Sequence, residues 1–192
     1  MITEVLMLCF LLVLAQNLLF SGGYGISEVI STAVTKKRAI FCGLTSLCAI
    51  FLSILSYGAV SVVKLITDNI YIVYTAIMAT AVVLYVIMLV ILHILGAKKS
   101  TLNLLLLSAF NSAVLVIPFA VQSMHSGFIG SIFLAIGGAA GYSLAMLLVS
   151  EGIKRLNYSD MPKAFKGAPA VIIFIGILAM AFASFSGIPF SV

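Results

Sequence analysis

Six long apolar runs, separated by short polar connectors, dominate the pattern of hydrophobic and polar positions along this chain. They cover residues 2–20, 39–60, 70–95, 102–121, 128–149 and 168–190. Each run is close to the roughly 20 residues that an α-helix needs to cross a hydrocarbon core about 30 Å thick. Lipid offers the backbone no hydrogen-bond partners, so such spans form helices. The pattern predicts an all-α integral membrane protein with six transmembrane helices in a single membrane domain, residues 1–192.

Composition agrees with a chain whose solvent is the bilayer. Of the 192 residues, 64% are hydrophobic and 8% are charged, whereas soluble domains carry about 25% charged residues. The first apolar run follows Met1-Ile2-Thr3-Glu4 without a basic segment. It is also longer than the roughly 7 to 15 apolar residues of a secretory signal. We therefore expect this run to be retained as the first transmembrane helix.

Charge alternates between the connectors. The first, third and fifth connectors are basic, with Lys36-Lys37-Arg38, Lys98-Lys99 and four cations between Lys154 and Lys166, whereas the second and fourth are nearly neutral. Basic loops stay on the cytoplasmic side, which predicts that both termini face outward. This topology explains the net charge of +5. Because basic and aromatic residues are not interleaved on any polar face, we expect no nucleic-acid partner.

Two of the apolar stretches are poor candidates for plain straight helices. Residues 2–35 contain no Lys or Arg, and as one straight helix they would be about 50 Å long. The expected break falls at Gly22, Gly23 and Gly25, because glycine permits backbone angles that other residues resist. In the fourth run, Asn111 precedes Pro118, which removes a helical hydrogen-bond donor.

The chain divides into two halves, residues 1–98 and 99–192. Each half has one interruption, which falls in its first span. Three spans per half mean that the second half enters the membrane from the opposite face, which predicts two inverted three-helix repeats. Interrupted segments at corresponding places in inverted repeats indicate a midplane site. The alternative is packing, since glycines and serines let helices approach closely and a proline can simply kink a helix.

Polar residues beside the interruptions are the candidate site. Gln16, Asn17 and Asn111 can line a polar cavity or join helices by hydrogen bonds. Two interpretations are open for Glu28. It marks an ion path, since buried carboxylates are costly in a bilayer and tend to have a function there, or it lies at the interface beside the basic first connector. The predicted ion path or midplane site comprises Gln16, Asn17, Gly22, Gly23, Gly25, Glu28, Asn111 and Pro118.

Catalytic motifs and metal-ligand spacings are absent from the sequence. It contains no P-loop, HExxH or dinucleotide-binding fingerprint. The cysteines Cys9, Cys42 and Cys48 lie in apolar stretches without a CxxC pattern, as expected for small buried hydrophobes. We expect no catalytic residue, no metal site and no autonomous enzymatic activity.

Several segments resemble one known family, the six-helix membrane subunits of the Rnf and Nqr ion-translocating oxidoreductases. The stretch from Asp160 to Gly167, with the helix ending Phe185-Ser186-Gly187, is similar to the D-x-P-x-x-F-R/K-G loop and F-S-G ending of that family. Gln16-Asn17 matches its amide pair, and residues 111–115 resemble its N-C-A-V-L segment. The resemblance covers nearly the whole chain. It implies two inverted repeats, a prokaryotic plasma (inner) membrane, a homologous six-helix sister subunit, and flavin and iron–sulfur subunits nearby.

The resemblance also implies a cofactor, and here the chain departs from the family. In the family, one cysteine from each broken helix, together with two from the sister subunit, holds a 2Fe–2S cluster. Those positions are Ser27 and Ser112 in this chain. A hydroxyl is a poor substitute for the thiolates that hold iron–sulfur clusters. We therefore expect no cofactor in this chain alone.

Two functions follow from these observations. The first is a membrane subunit of an Rnf/Nqr-like complex that couples electron transfer to Na⁺ or H⁺ translocation, where the chain scaffolds the pair or lines the ion path. The alternative is a diverged inverted-repeat transporter or channel-like protein without redox function. The two differ in partners, because only the first requires a homologous sister and redox subunits.

Overall fold

The computed structural model describes residues 13–14, 16–33, 35, 37–67, 69–124, 127–157, 162 and 165–186. Throughout these residues the regular secondary structure is helical, and no β-strand occurs in them. The helices, in chain order, are α1 (Leu18–Gly22), α2 (Ile26–Thr32), α3 (Arg38–Ile66), α4 (Ile70–Ile94), α5 (Lys99–Ala109), α6 (Ser112–Ser123), α7 (Phe128–Asn157) and α8 (Ala168–Ser186).

Five helical stretches in the described part of the chain are long and apolar enough to cross a membrane. They are Arg38–Ile66, Ile70–Ile94, Lys99–Ser123, Phe128–Leu156 and Ala168–Phe185. The third combines α5 and α6, which are separated by a short interruption. These stretches correspond to the second to sixth predicted runs. The first predicted run, residues 2–20, lies mostly outside the described residues. The protein is therefore an all-helical, multi-pass membrane protein.

The long helices α3 and α7 form the centre of the bundle. Helix α3 contacts α4, α5, α6 and α7, while α7 also contacts α1, α6 and α8. Helices α4 and α8 lie at the periphery, where only 22% and 17% of their most apolar windows are buried. Their exposed side chains are almost all aliphatic or aromatic. This is expected of surfaces that contact lipid or another membrane protein.

Small residues of α7 allow neighbouring elements to approach closely. A methyl group added at Gly138 would lie 3.1 Å from Ile117 of α6 and 3.2 Å from Leu18 of α1. A methyl group at Gly152 would overlap the ring of Phe174 in α8. Membrane helices associate through such close van der Waals packing, because lipid tails remove the hydrophobic driving force between helices.

Polar contacts join the first, third and fifth connectors at one end of the bundle. The Lys37 ammonium donates to Ser100. Arg38 contacts Glu151 at 3.8 Å, and Lys154 forms a 2.7 Å ion pair with the same carboxylate. We call this the basic end, and its described cations are Lys37, Arg38, Lys98, Lys99, Lys154, Arg155 and Lys166.

The second and fourth connectors meet at the opposite end. Lys64, near the end of α3, donates to the Gln122 side chain in α6 over 3.0 Å. The rings of Tyr57 and Phe128 pack there with their centroids 5.5 Å apart. The structure thus separates the basic connectors from the nearly neutral ones, as the charge pattern predicts for a membrane protein.

Candidate functional site

The first interruption lies between α1 and α2 and depends on two glycines. Gly23 ends α1 with φ 69°, and Gly25 precedes α2 with φ 77°. Residues with a Cβ rarely adopt this left-handed conformation, so glycine is favoured at both positions. The amide of Gly23 donates to the Leu19 carbonyl, and the amide of Tyr24 donates to the Leu18 carbonyl, each over 3.0 Å. These bonds satisfy carbonyls that the end of a helix otherwise leaves open.

The second interruption lies between α5 and α6, at Phe110 and Asn111. The Asn111 side chain caps α6, because its Oδ1 accepts the amide of Ala113 over 2.9 Å. Pro118 lies inside α6 and is buried, and the helix continues through it. The sequence predicts an interruption from Asn111 to Pro118, and the structure places it at the asparagine. A side-chain cap supplies the amide partner there, whereas the proline removes only one donor from a helix that otherwise keeps its bonds.

The two interruptions contact each other through a hydrogen-bond network. The amide of Gly25 donates to Ser112 Oγ over 2.8 Å. Asn111 Nδ2 donates to Tyr142 Oη of α7 over 2.8 Å, and Tyr142 Oη donates to the Gly25 carbonyl over 3.2 Å. We call Gly25, Asn111, Ser112 and Tyr142 the junction. The Gly25 amide therefore finds its partner outside the helix, and the Gly25 carbonyl accepts Tyr142 in addition to the Val29 amide of α2, which lies 3.1 Å away.

Asn17 makes a second connection to the same part of α7. Its Oδ1 accepts the amide of Leu19 over 3.1 Å, and its Nδ2 donates to the Gly141 carbonyl over 2.8 Å. Asn17 and Asn111 are both fully buried, and each caps a helix. Both amides therefore join helices through hydrogen bonds. Gln16, in contrast, is exposed.

A polar surface lies beside the junction. Ser112 and Ser27 are exposed, and Glu28 is half-buried. Ser27 Oγ donates to the Glu28 carboxylate over 2.7 Å. Within the described residues Glu28 makes no ion pair with Lys37, whose ammonium contacts Ser100 instead. Lys36, the other basic residue considered as a neighbour of Glu28, lies outside the described residues.

Two glycines of the first interruption have different surroundings. Gly22 is exposed at the end of α1, and a methyl group there would overlap the ring of Tyr24. Tyr24 is itself 37% exposed and can move. Gly25 is buried, and a methyl group there would lie 2.6 Å from Asn111 Oδ1 and 2.7 Å from the Tyr142 ring. Gly25 is therefore the most constrained residue of the interruption.

Tyr142 is a member of the junction that the sequence analysis missed. It lies midway along α7 and is fully buried, 117 residues from the glycine that it contacts. A tyrosine in the middle of an apolar span, far from the interfaces where tyrosines usually lie, is the signal that could have indicated it. Its hydroxyl needs partners inside the membrane, and both interruptions provide them.

The described residues contain no group of three or more His, Cys, Asp or Glu side chains that could hold a metal ion. Cys42 lies beside Met146 with a sulfur–sulfur distance of 3.2 Å. Cys48 is fully buried in a different cluster, between α3, α4 and α5. Cys9 lies outside the described residues. The two described cysteines therefore occupy separate environments.

The fold and the junction define a class: all-helical membrane proteins in which two interrupted helices meet inside the bundle. Residues 5–189 match a family described as Rnf-Nqr subunit, membrane protein. The chain belongs to this family.

Named relatives agree with the family match. One subunit of the ion-translocating oxidoreductase complex of Vibrio vulnificus is 27% identical over 191 residues, which cover 97% of this chain and 98% of the relative. One subunit of the proton-translocating ferredoxin:NAD(+) oxidoreductase complex of Clostridium ljungdahlii is 36% identical over 83 residues, 43% of each chain. One subunit of the Na(+)-translocating NADH-quinone reductase of Pseudoalteromonas atlantica is 39% identical over 72 residues, 38% of this chain and 35% of the relative.

Proposed function

We propose that this chain is a membrane subunit of an Rnf/Nqr-type complex that couples electron transfer to Na⁺ or H⁺ translocation. The observation that carries the proposal is the family match, which extends over residues 5–189. Relatives of this family are named as subunits of oxidoreductases that translocate ions. In this proposal the chain pairs with a homologous six-helix sister, and flavin and iron–sulfur subunits carry the redox chemistry.

The proposed architecture has six spans in two inverted repeats, residues 1–98 and 99–192. In this arrangement α1 and α2 belong to the first interrupted span, and α5 with α6 forms the fourth. Two features support this arrangement: each interrupted stretch has a fully buried asparagine at a helix N-cap, and each asparagine also donates to α7. Irregular backbone inside a membrane is tolerated where protein satisfies it, as Tyr142 and Ser112 do for Gly25.

We propose that this chain holds no 2Fe–2S cluster. The positions that correspond to the family's ligands are Ser27 and Ser112. The Ser112 hydroxyl accepts the Gly25 amide, and the Ser27 hydroxyl donates to Glu28. Neutral hydroxyls held in these bonds do not fit a group that takes soft thiolate ligands. The chain instead scaffolds the pair of subunits and lines an ion path, with Glu28 as the carboxylate beside the junction.

The second candidate function is an inverted-repeat transporter or channel-like protein without redox function. The same two serines favour it, because hydroxyls at both of the family's ligand positions offer no thiolate there to an iron–sulfur cluster. Both functions use the interrupted helices. They differ in what accompanies the chain in the membrane.

Purification in a mild detergent distinguishes these two functions. We expect the full chain to co-purify with a homologous six-helix sister and with flavin-containing and iron-containing subunits, identified by mass spectrometry and cofactor analysis. The chain separated from these partners is expected to contain no iron after anaerobic reconstitution with iron and sulfide. A colourless homo-oligomer without redox partners would contradict the first function and support the second.

Cysteine labelling tests the proposed orientation, with both termini outside a prokaryotic inner membrane. Ser100 contacts Lys37 at the basic end, while Ser123 is exposed at the opposite end. With the native cysteines replaced, we expect an impermeant thiol reagent to label Ser123→Cys in intact cells and to leave Ser100→Cys unlabelled until the cells are opened. Labelling of Ser100→Cys alone from outside would reverse the orientation.

A further inference from the structure

An apolar groove opens at the basic end, between the last turn of α7 and the first half of α8. Its volume is about 310 Å³. Its walls include Leu156, Pro162, Phe165, Ile173, Phe174 and Ile177. The α8 residues follow an i, i+3, i+4, i+7 pattern from Ala170 to Ile177, so they share one face of the helix. Seven residues correspond to about 10 Å of groove along the helix axis.

The floor of the groove depends on Gly152 of α7. A side chain at this position would overlap the ring of Phe174, so the glycine lets the ring lie against α7 instead of projecting outward. Ile173, Ile177 and Phe165 are each about half exposed. The groove is therefore lined with apolar groups and open on its outer side.

Two cations are chain neighbours of wall residues at the end of the groove nearest the basic end. Arg155 precedes the wall residue Leu156, and Lys166 follows the wall residue Phe165. Both cations are exposed. Lys154, in contrast, is held by Glu151 over 2.7 Å. The site thus combines an apolar channel that runs toward the membrane interior with positive charge at its membrane-surface end.

We propose that this groove binds an anionic phospholipid, with one acyl chain along α8 and the headgroup phosphate at Arg155 and Lys166. Basic pockets beside membrane helices recognise lipid headgroups in this way. A groove of about 310 Å³ over about 10 Å of helix axis is too small to accept a helix roughly 10 Å in diameter, which argues against a partner helix as its occupant. The side chains of its described wall residues carry no polar group for the carbonyl oxygens of a quinone. The charge at its mouth selects an anionic headgroup over a zwitterionic one.

The absence of tryptophan from the chain provides a direct test. The full chain with Ile177→Trp is reconstituted in phosphatidylcholine nanodiscs. A small fraction of the lipid is brominated phosphatidylglycerol in one sample and brominated phosphatidylcholine in the other. Quenching of the tryptophan fluorescence by the bromines is measured in both. We expect the anionic lipid to occupy the groove roughly fivefold more readily than the zwitterionic lipid. Ile173→Trp is a second reporter in the same groove.

Matched controls separate this site from general attraction to the basic end. Val86→Trp, on the exposed face of α4 and eight residues from its basic end, should be quenched equally by both lipids. The excess should disappear in Arg155→Gln/Lys166→Gln and persist in Lys98→Gln/Lys99→Gln. Three results would overturn the proposal: equal quenching by both lipids at both groove reporters, no quenching at either groove reporter while Val86→Trp is quenched, or loss of the excess in both charge pairs.

Discussion

Replacing Gly25 with alanine is expected to remove most of the folded protein. Gly25 has φ 77°, and the left-handed conformation costs a residue with a Cβ about 1–2 kcal/mol. The added methyl group would also lie 2.6 Å from Asn111 Oδ1 and 2.7 Å from the Tyr142 ring. Displacing either side chain leaves buried hydrogen-bonding groups without partners, at about 1–3 kcal/mol each. The sum, about 3 kcal/mol or more, is a large part of a typical folding free energy.

Two other glycines separate the causes of this loss. Gly23 has φ 69°, but only Ile26 lies near its absent side chain, at 3.7 Å, so Gly23→Ala tests backbone strain without crowding. Gly43 lies within α3 with nothing within 4 Å, and Gly43→Ala should be neutral. For each variant, the fraction of protein that remains monodisperse after heating in detergent is measured. We expect the loss to be greatest for Gly25→Ala, and equal losses at Gly23 and Gly25 would contradict the role of crowding.

The hydropathy pattern predicts the five membrane-crossing helices of the described residues, because lipid immersion and helix formation impose the same requirement on a continuous apolar run. It predicted their ends less well. Helix α7 continues to Asn157, eight residues beyond the predicted end at 149. The polar last turns remain helical, with Lys154 and Glu151 paired one turn apart. Hydropathy detects where the chain leaves the hydrocarbon region, whereas backbone hydrogen bonding decides where the helix ends.

The interruptions were predictable from residue type, whereas Tyr142, which joins them, was not. Gly23 and Gly25 have backbone angles that favour glycine, and Asn111 makes a cap that asparagine favours. Local preferences of this kind can be read from a short stretch of sequence. Tyr142 joins the junction only through the packing of α7 against both interruptions, 117 residues from Gly25. Pro118 shows the opposite error, because a residue that often breaks helices lies within one here.

Cysteines placed at Ser27 and Ser112 are expected to crosslink within one chain. The Gly25 amide lies 2.8 Å from Ser112 Oγ, and Ser27 follows two residues later, in the first turn of α2. Both serines are exposed, so a reagent can reach them. A disulfide needs Cα atoms within roughly 7 Å, and a short bifunctional thiosulfonate extends that range modestly. With the native cysteines replaced, we expect most of the double variant to react. The two fragments should then stay joined on a denaturing gel after cleavage at a protease site inserted near the exposed Gly96, which lies between the two cysteines.

The matched control is Ser27→Cys with Ser123→Cys. Ser123 ends α6, eleven residues beyond Ser112, which places it about 16 Å further along the helix axis. This pair should give separate fragments after cleavage, while each cysteine reacts with a monofunctional reagent. A covalent dimer band before cleavage would indicate contact between two copies instead. The contradicting result has three parts: each cysteine reacts with a monofunctional reagent, the protein remains folded, and the short linker does not join the two cysteines. The two interruptions would then not meet in the membrane. The proposed site at the junction would then be wrong, because Glu28 and Ser112 would line separate surfaces rather than one path.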